Sequence, residues 1–257
     1  MIYSIGTLVS DLTQYHAMRA SFEDRGFNSG DCEYLHVDNT KSNQKDAYAG
    51  LNHLLNEARG RYVILCHQDV RMIDDEREEL DGQLTSLERR DPNWALAGNA
   101  GGVSLGRFAF RITDPHRTNT LVGTLPARVG TLDENFIVVK RSARIGFSRD
   151  LVGFHFYGAD ICLVADILGY SAYVIDFHLQ HLSPGNPRSA EFFAAKSAFS
   201  RKWAYALRPR WLQTTCAPVP VAGTRLGRVL GTFAVQARRA LDRYKAKVTR
   251  MTAWTHR

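Results

Sequence analysis

Arg61-Tyr62-Val63-Ile64-Leu65-Cys66-His67-Gln68-Asp69-Val70 is the stretch that decides the fold. Tyr62 to Cys66 are apolar, with β-branched and aromatic residues among them, which predicts a buried strand. The run stops abruptly at His67-Gln68-Asp69. Ahead of it, Ala47, Leu51, Leu54, Leu55 and Ala58 follow helical spacing behind a capping Asp46, and Gly60 separates helix from strand. Helix, glycine, buried strand and then a carboxylate at the strand's C-terminal end is how α/β sheets place an acid where a ligand binds.

The same alternation extends in both directions. Ile2 to Val9 predicts a strand, Leu12 to Arg25 a helix, and Glu33 to Val37 a strand that closes at Asp38-Asn39. Asp74-Asp75 open a helix with Leu80, Leu84 and Leu87 on one face, and Trp94 to Gly98 returns as a strand. This pattern predicts an α/β fold whose mostly parallel central sheet is flanked by helices. Gly98 to Gly130 reads as an irregular or antiparallel insert, with strand-prone pieces at Phe108–Ile112 and Thr120–Leu125. Asn135–Lys140 and Ala172–Phe177 predict further strands, and Tyr157–Leu168 a helix. Ser189 caps a helix to about Leu207, and Pro209, Pro218 and Pro220 mark a linker. From Arg225 on, Leu226, Leu230, Phe233, Ala237, Leu241, Tyr244, Val248 and Met251 recur every three or four residues, the stripe of a long amphipathic helix. The chain therefore divides into a body at 1–208 and a linker plus C-terminal helix at 209–257.

A length of 257 residues suits one large domain with an appendage, and 44% hydrophobic with 23% charged residues is ordinary for a globular protein. No apolar run is long enough to span a bilayer, and the first residues run straight into a strand without a basic leader, so the expected location is cytoplasmic. Cys32, Cys66, Cys162 and Cys216 are scattered and form no Cys-x-x-Cys pair, which argues against a zinc site or disulfide framework. The net charge of +7 is uneven. Residues 188–257 carry fifteen Lys or Arg against Glu191 and Asp242 alone, so the body is mildly acidic and the tail strongly basic. A basic amphipathic helix ending near Trp254 suits an anionic membrane surface at the inner membrane face; packing on the body or on another subunit is the alternative. No nucleic-acid recognition motif accompanies the charge.

These pieces together resemble glycosyltransferases of the GT-A fold, near the family-2 type, and especially a bacterial subgroup whose third strand ends in His-Gln-Asp. Val37-Asp38-Asn39 is similar to the family's Val-Asp-Asp. Asn52 to Leu65 is similar to its Asn-x-Gly-x-x-x-Ala-x-Gly-x-Tyr run, with Leu54 in place of a glycine. His67-Gln68-Asp69 stands where relatives carry Asp-x-Asp, and Gly158-Ala159-Asp160 where many carry a further acid at 158. Tyr173-Val174-Ile175-Asp176 followed by His181-x-Ser183-x-Gly185 completes the pattern.

The resemblance implies transfer of a sugar from a nucleotide-sugar donor to a glycan or lipid-linked acceptor, by inversion, in bacterial surface polysaccharide synthesis. It implies a divalent metal at Asp69 and His181; an Asp-plus-His set suits Mn²⁺ better than Mg²⁺. His67 is expected to touch ribose or phosphate, or only to finish the strand. Asp38 is expected at the nucleobase or ribose, or as a turn former, and Thr7 is a weaker nucleotide-side candidate. Lys45 and Arg71 are possible phosphate contacts. Inversion needs a general base. Asp160 is the first choice, with Asp133, Glu134 and His155 as alternatives. The aromatic run Phe154-His155-Phe156-Tyr157 could stack on sugar, with core packing favoured for Phe154 and Phe156. Two other classes stay open: a nucleotidyltransferase acting on sugar phosphates, and a non-catalytic nucleotide- or glycan-binding protein.

Overall fold

The computed structural model describes residues 1–28, 30–185, 189–213 and 216–254. The chain forms two compact units, Met1–Phe199 and Ser200–Arg257. In chain order the first begins β1 (Tyr3–Val9), α1 (Leu12–Glu23), β2 (Cys32–Asp38), α2 (Ala47–Glu57), β3 (Tyr62–Cys66), β4 (Val70–Met72), α3 (Arg77–Arg90) and β5 (Trp94–Gly98). Short strands follow: β6 (Ala100–Ser104), β7 (Arg107–Asp114), β8 (Arg117–Val122), β9 (Ala127–Val129), β10 (Thr131–Leu132) and β11 (Phe136–Lys140). Then come α4 (Tyr157–Ile167), β12 (Ser171–Val174), β13 (Leu179–His181) and α5 (Ala190–Leu207), whose last residues belong to the second unit.

The central sheet has the order β2-β1-β3-β11-β5-β12-β9. β1 pairs in parallel with β2 and β3, and β5 with β12, but β11 runs antiparallel between β3 and β5, and β9 antiparallel to β12. Five of the seven strands therefore point one way, as expected, with β11 and β9 reversed among them. The direction of β11 matters for the site: its register pairs Phe136 with Cys66, so the residues just before it arrive at the C-terminal end of β3.

β3 is an unbroken apolar run because both of its faces are covered. Val63 and Leu65 join a core with Leu51 and Leu54 of α2 and Ile161 of α4. Ile64 and Cys66 join a second core with Met18 and Phe22 of α1 and Leu80 and Leu84 of α3. Two glycines make the close approaches possible. A Cβ at Gly60 would stand 2.5 Å from the Ser4 backbone nitrogen. Gly6 faces Leu54, whose Cβ lies 3.3 Å from where a Cβ at position 6 would be, so the missing side chain on β1 makes room for this leucine on α2.

A second sheet, β10-β6-β7-β13-β4 with β8 beside β7, is built largely from the glycine-rich insert. Its β4–β13 ladder pairs Val70 with His181 and Met72 with Leu179. One expectation is corrected here. Asp74 and Asp75 do not open α3; Glu76 does, its backbone nitrogen bound to the Glu79 carboxylate at 2.8 Å. The two aspartates hold His178 instead, Asp74 at ring Nδ1 (2.8 Å) and Asp75 at the backbone nitrogen (2.6 Å).

In the second unit, the expected linker contains a hairpin of β14 (Arg210–Gln213) and β15 (Pro218–Val221), followed by α6 (Arg225–Trp254). Thr224 starts α6, its hydroxyl accepting from Gly227 N at 3.0 Å. Leu226, Leu230, Phe233 and Tyr244 are exposed along it. The expectations for the side chains of Asp242, Lys247, Val248, Arg250, Met251 and Trp254, and for Arg257, lie outside the described residues. Among the described residues no helix is long and apolar enough to cross a membrane.

Candidate active site

The C-terminal ends of β1, β2 and β3 share one edge of the sheet, and the His67-Gln68-Asp69 turn leaves from it. Pairing of Val70 with His181 brings β13 alongside, and Leu182 N donates to Asp69 O at 3.1 Å. The result is a cluster of His67, Asp69 and His181. His181 Nε2 is 3.4 Å from Asp69 Oδ1 and 3.3 Å from His67 Nδ1, and His67 Nδ1 is 3.9 Å from the same carboxylate oxygen. Ligands about 2.0–2.2 Å from one shared ion stand this far apart. Two imidazoles and a carboxylate form a donor set that transition-metal ions accept more readily than Mg²⁺.

The hydrogen bonds around His67 accommodate a proton on Nε2. With Tyr157 Oη donating to the Glu134 carbonyl at 3.2 Å, it is placed to accept at 2.7 Å from His67 Nε2–H. That leaves Nδ1 bare and aimed into the cluster, the arrangement by which outer partners orient metal-binding histidines. Burial and the neighbouring His181 charge lower the His67 pKa, which favours the neutral ligand form. Burial alone would raise Asp69, but the His181 hydrogen bond and charge outweigh it and hold the carboxyl well below its usual range. His181 is pushed the other way: burial lowers it, and Asp69 more than compensates. The pair thus holds a proton at the place where a bound cation would replace it.

Two hollows meet at this cluster. One of about 500 Å³ is lined by Leu8, Ser10, Asn39, Asn43, Gln68 and Asp69. The other, about 530 Å³, is lined by Asp133, His155, His181, Pro184 and Phe192. His67, Glu134 and Phe154 line both. Phe154 is 44% exposed rather than packed in the core. Phe156 does pack, with ring centroids 5.0 Å from Phe192 and 5.5 Å from Phe199. It does so with φ of +66°, a left-handed conformation that costs a side-chain-bearing residue about 1–2 kcal/mol. Such strain collects at ligand sites.

Glu134 reaches this junction because β11 is antiparallel. Its carboxylate accepts from Gly158 N at 3.3 Å, at the first turn of α4. Burial pushes its pKa up to about 8, with the Asp133 charge adding, against backbone N–H donors from residues 156–158. A Cβ at position 158 would lie 2.4 Å from Leu132 O and 3.2 Å from Glu134 Cγ. The acid that the glycosyltransferase pattern carries at 158 therefore does not fit, and Glu134 occupies that space from another element.

Two expectations, those for Asp160 and Thr7, need correction. Asp160 has no exposed surface; Ser148 donates to it from N at 2.8 Å and from Oγ at 2.7 Å, so it cannot meet an acceptor hydroxyl. Thr7 is likewise buried within β1, its Oγ1 3.7 Å from Cys66 Sγ. Asp38 is exposed at the end of β2, but its Oδ1 is taken by Thr40 N (2.9 Å) and Thr40 Oγ1 (2.6 Å), and Asn39 is the neighbour that lines the cleft. Lys45 lines a separate surface hollow with Asn52 and Arg149. Arg71 folds onto the Gln68 and Val70 carbonyls at 3.0 and 2.7 Å. Asp133 and His155 remain beside the second hollow. Gln68 is the residue sequence reasoning left without a role. Its Oε1 accepts from Ser10 N and Asp11 N at 2.8 and 2.9 Å, tying the β1–α1 loop to the β3 exit.

No family model matches the chain. It is 38% identical over 187 residues to the "ATP synthase subunits region ORF 6" protein of Fuscovulum blasticum, covering 70% of this chain and 75% of that protein. Two solved structures share its architecture at low identity. Staphylococcus aureus TarS residues 1–349 with UDP-GlcNAc matches with a TM-score of 0.54 and 10% identity, over 79% of this chain and 67% of that one. GalNAc-T7 with UDP, GalNAc and Mn²⁺ matches with a TM-score of 0.51 and 8% identity, over 71% of this chain and 44% of that one. The body accordingly has the GT-A glycosyltransferase fold, and the chain belongs to the family of the Fuscovulum blasticum ORF 6 protein.

Proposed function

We propose that the protein transfers a sugar from a nucleotide-sugar donor to a glycan or lipid-linked acceptor. The observation that carries this reading is the cluster of His67, Asp69 and His181 at the strand ends, set between two hollows that share His67, Glu134 and Phe154. The first hollow takes the nucleotide, with Asn39 and Asn43 at its rim and Gln68 fixing its floor. The second takes the acceptor. His67, Asp69 and His181 would hold a divalent ion, with Mn²⁺ preferred over Mg²⁺ for two nitrogen donors. Bound there, it would supply Lewis-acid stabilisation of the departing diphosphate. Glu134 is the base: a carboxylate with a pKa of about 8 takes a proton efficiently near that pH. Attack from the acceptor side, opposite the leaving group, gives inversion.

The exposed apolar face of α6 and its Arg225, Arg228, Arg238, Arg239, Arg243 and Lys245 support a peripheral place on an anionic membrane, where a lipid-linked acceptor would lie. Flotation with anionic and zwitterionic vesicles tests that part; equal recovery with both, insensitive to salt, removes it.

The test of the function is thermal stability with UDP, GDP, ADP and CDP, each with and without Mn²⁺. UDP comes first, because TarS and GalNAc-T7 are seen with it or its sugar. A ligand that binds the folded state raises the midpoint with occupancy. The expected result is a metal-dependent rise with at least one nucleotide; none with any of them overturns the reading.

A further inference from the structure

Beyond the two hollows at the cluster lies a third, of about 350 Å³, on the face of the second sheet. Phe108, Phe110, Asp114, Arg117, Thr131 and Asp133 line it. It borders the acceptor-side hollow, since Thr131, Leu132 and Asp133 line both. Strand alternation puts Phe108, Phe110 and Ile112 on one face of β7. Phe108 is 61% exposed, whereas Phe110 is covered on one side by the Arg117 guanidinium, 4.6 Å from the ring centre. The ladder pairs Thr131 with Gly102 and Gly102 with Phe108, so Phe108 stands two strand spacings, about 10 Å, from Thr131.

A bare aromatic face beside carboxylates and a guanidinium is the chemistry that holds a pyranose. The ring's C–H face lies on the aromatic, and its hydroxyls bond to the charged groups. Two acids against one cation disfavour a phosphate in this hollow and favour a neutral glycan. We infer that the third hollow is a second acceptor subsite, with Phe108 as its platform, and that the acceptor is an oligosaccharide of at least two sugars. The inference rests on the sugar-transfer reading. A single sugar would fill the hollow beside Glu134 and leave Phe108 bare.

The experiment is binding of the full chain to an array of immobilised glycans, from monosaccharides to short oligosaccharides, with UDP and Mn²⁺ present. Wild type, Phe108→Ala and Phe108→Tyr are compared, and each preparation is also scored for its thermal shift with UDP and Mn²⁺. Retention of oligosaccharides but not monosaccharides is expected. It should fall about fivefold in Phe108→Ala, the loss of one aromatic contact, and recover in Phe108→Tyr. Retention that ignores length, that is unchanged in Phe108→Ala, or that is absent from the whole array overturns the subsite. The nucleotide shift in the same samples says separately whether the donor reading stands.

Discussion

The exit of β3 and the start of α4 each depart from the glycosyltransferase pattern at one position, with opposite consequences. At β3, His67 stands in place of an acid and stays in the cluster, its Nδ1 3.3 Å from His181 Nε2 and its other nitrogen held by Tyr157. At α4, Gly158 stands in place of an acid, and the carboxylate arrives from outside the motif, on Glu134. The backbone explains the difference. The β3 exit has room for a ring between two hollows, whereas a Cβ at 158 would press on Leu132 O. A position can thus be occupied by a different residue at the same place or by a carboxylate from a different place, and only the first leaves its trace inside the motif.

The strongest test of that contrast removes the carboxylate at the β3 exit. Asp69→Ala deletes the cluster's only carboxylate and should weaken metal-dependent nucleotide binding by at least about a hundredfold. His181→Ala should act similarly, and both should be read by calorimetric titration of UDP with and without Mn²⁺. Wild-type affinity and metal response in both variants would mean that the cluster is not the metal site.

Next is the exchange of roles between two acids. Glu134→Gln should lower turnover by about a hundredfold, the range for losing a general base, with nucleotide affinity nearly unchanged. Asp160→Asn should act on stability instead, because an amide cannot accept both Ser148 hydrogen bonds; a cost of about 1–3 kcal/mol is expected. Near-normal turnover in Glu134→Gln would return the role to Asp133 or His155. The pH profile adds a signature. The activity limb that rises through about pH 8 should disappear in Glu134→Gln. Stability has a definite sign too. The Glu134 pKa is raised from 4.5 in the folded state, so the fold holds an extra proton between about pH 4.5 and 8 and loses stability as pH rises through that window. Glu134→Gln should flatten this slope in denaturant titrations.

A smaller effect should follow from returning a side chain to position 158. Gly158→Ala places a Cβ 2.4 Å from Leu132 O and should cost about 1–3 kcal/mol, lowering the melting midpoint by several degrees. An unchanged midpoint would show that the helix start can move aside, and the steric reason for the exchange would fail.

What was legible in the sequence follows the same division. β3 could be read because burial on both faces leaves a continuous apolar run, and Asp69 because it is the first acid after it. His181 entered through the resemblance, and the β4–β13 register gives the physical reason it meets Asp69. Strand direction is not written in a segment's own residues, so the apolar run of β11 gave no sign that Glu134 would arrive at the β3 exit. Nor does the letter for aspartate distinguish a solvated acid from one enclosed by Ser148. The hairpin at β14–β15 was hidden by its prolines. Pro218 and Pro220 are two apart, so their missing N–H groups fall on one edge, which the ladder to Gln213 and Trp211 does not need.

The smallest effect is expected at the other strand end. Asp38 and Asp69 each stand at or just past the end of a parallel strand, and the sequence reading puts both at the donor site, Asp69 at the metal and Asp38 at the base or ribose or in a turn. Their surroundings separate them. Asp69 is nearly enclosed and drawn into a charge cluster with His181, whereas Asp38 is exposed and accepts twice from Thr40 at a single oxygen. That bond pattern forms a local turn, which an asparagine keeps and an alanine loses. Asp38→Ala should therefore change UDP affinity by no more than about twofold, as for surface sites outside a binding network, and Asp38→Asn should not change it at all. The measurement is the same calorimetric titration used for Asp69→Ala, which makes the two strand ends directly comparable. A tenfold loss in Asp38→Ala that persists in Asp38→Asn would mean that the carboxylate itself meets the ribose or base, that the Thr40 turn gives way on binding, and that the nucleotide spans both strand ends rather than one.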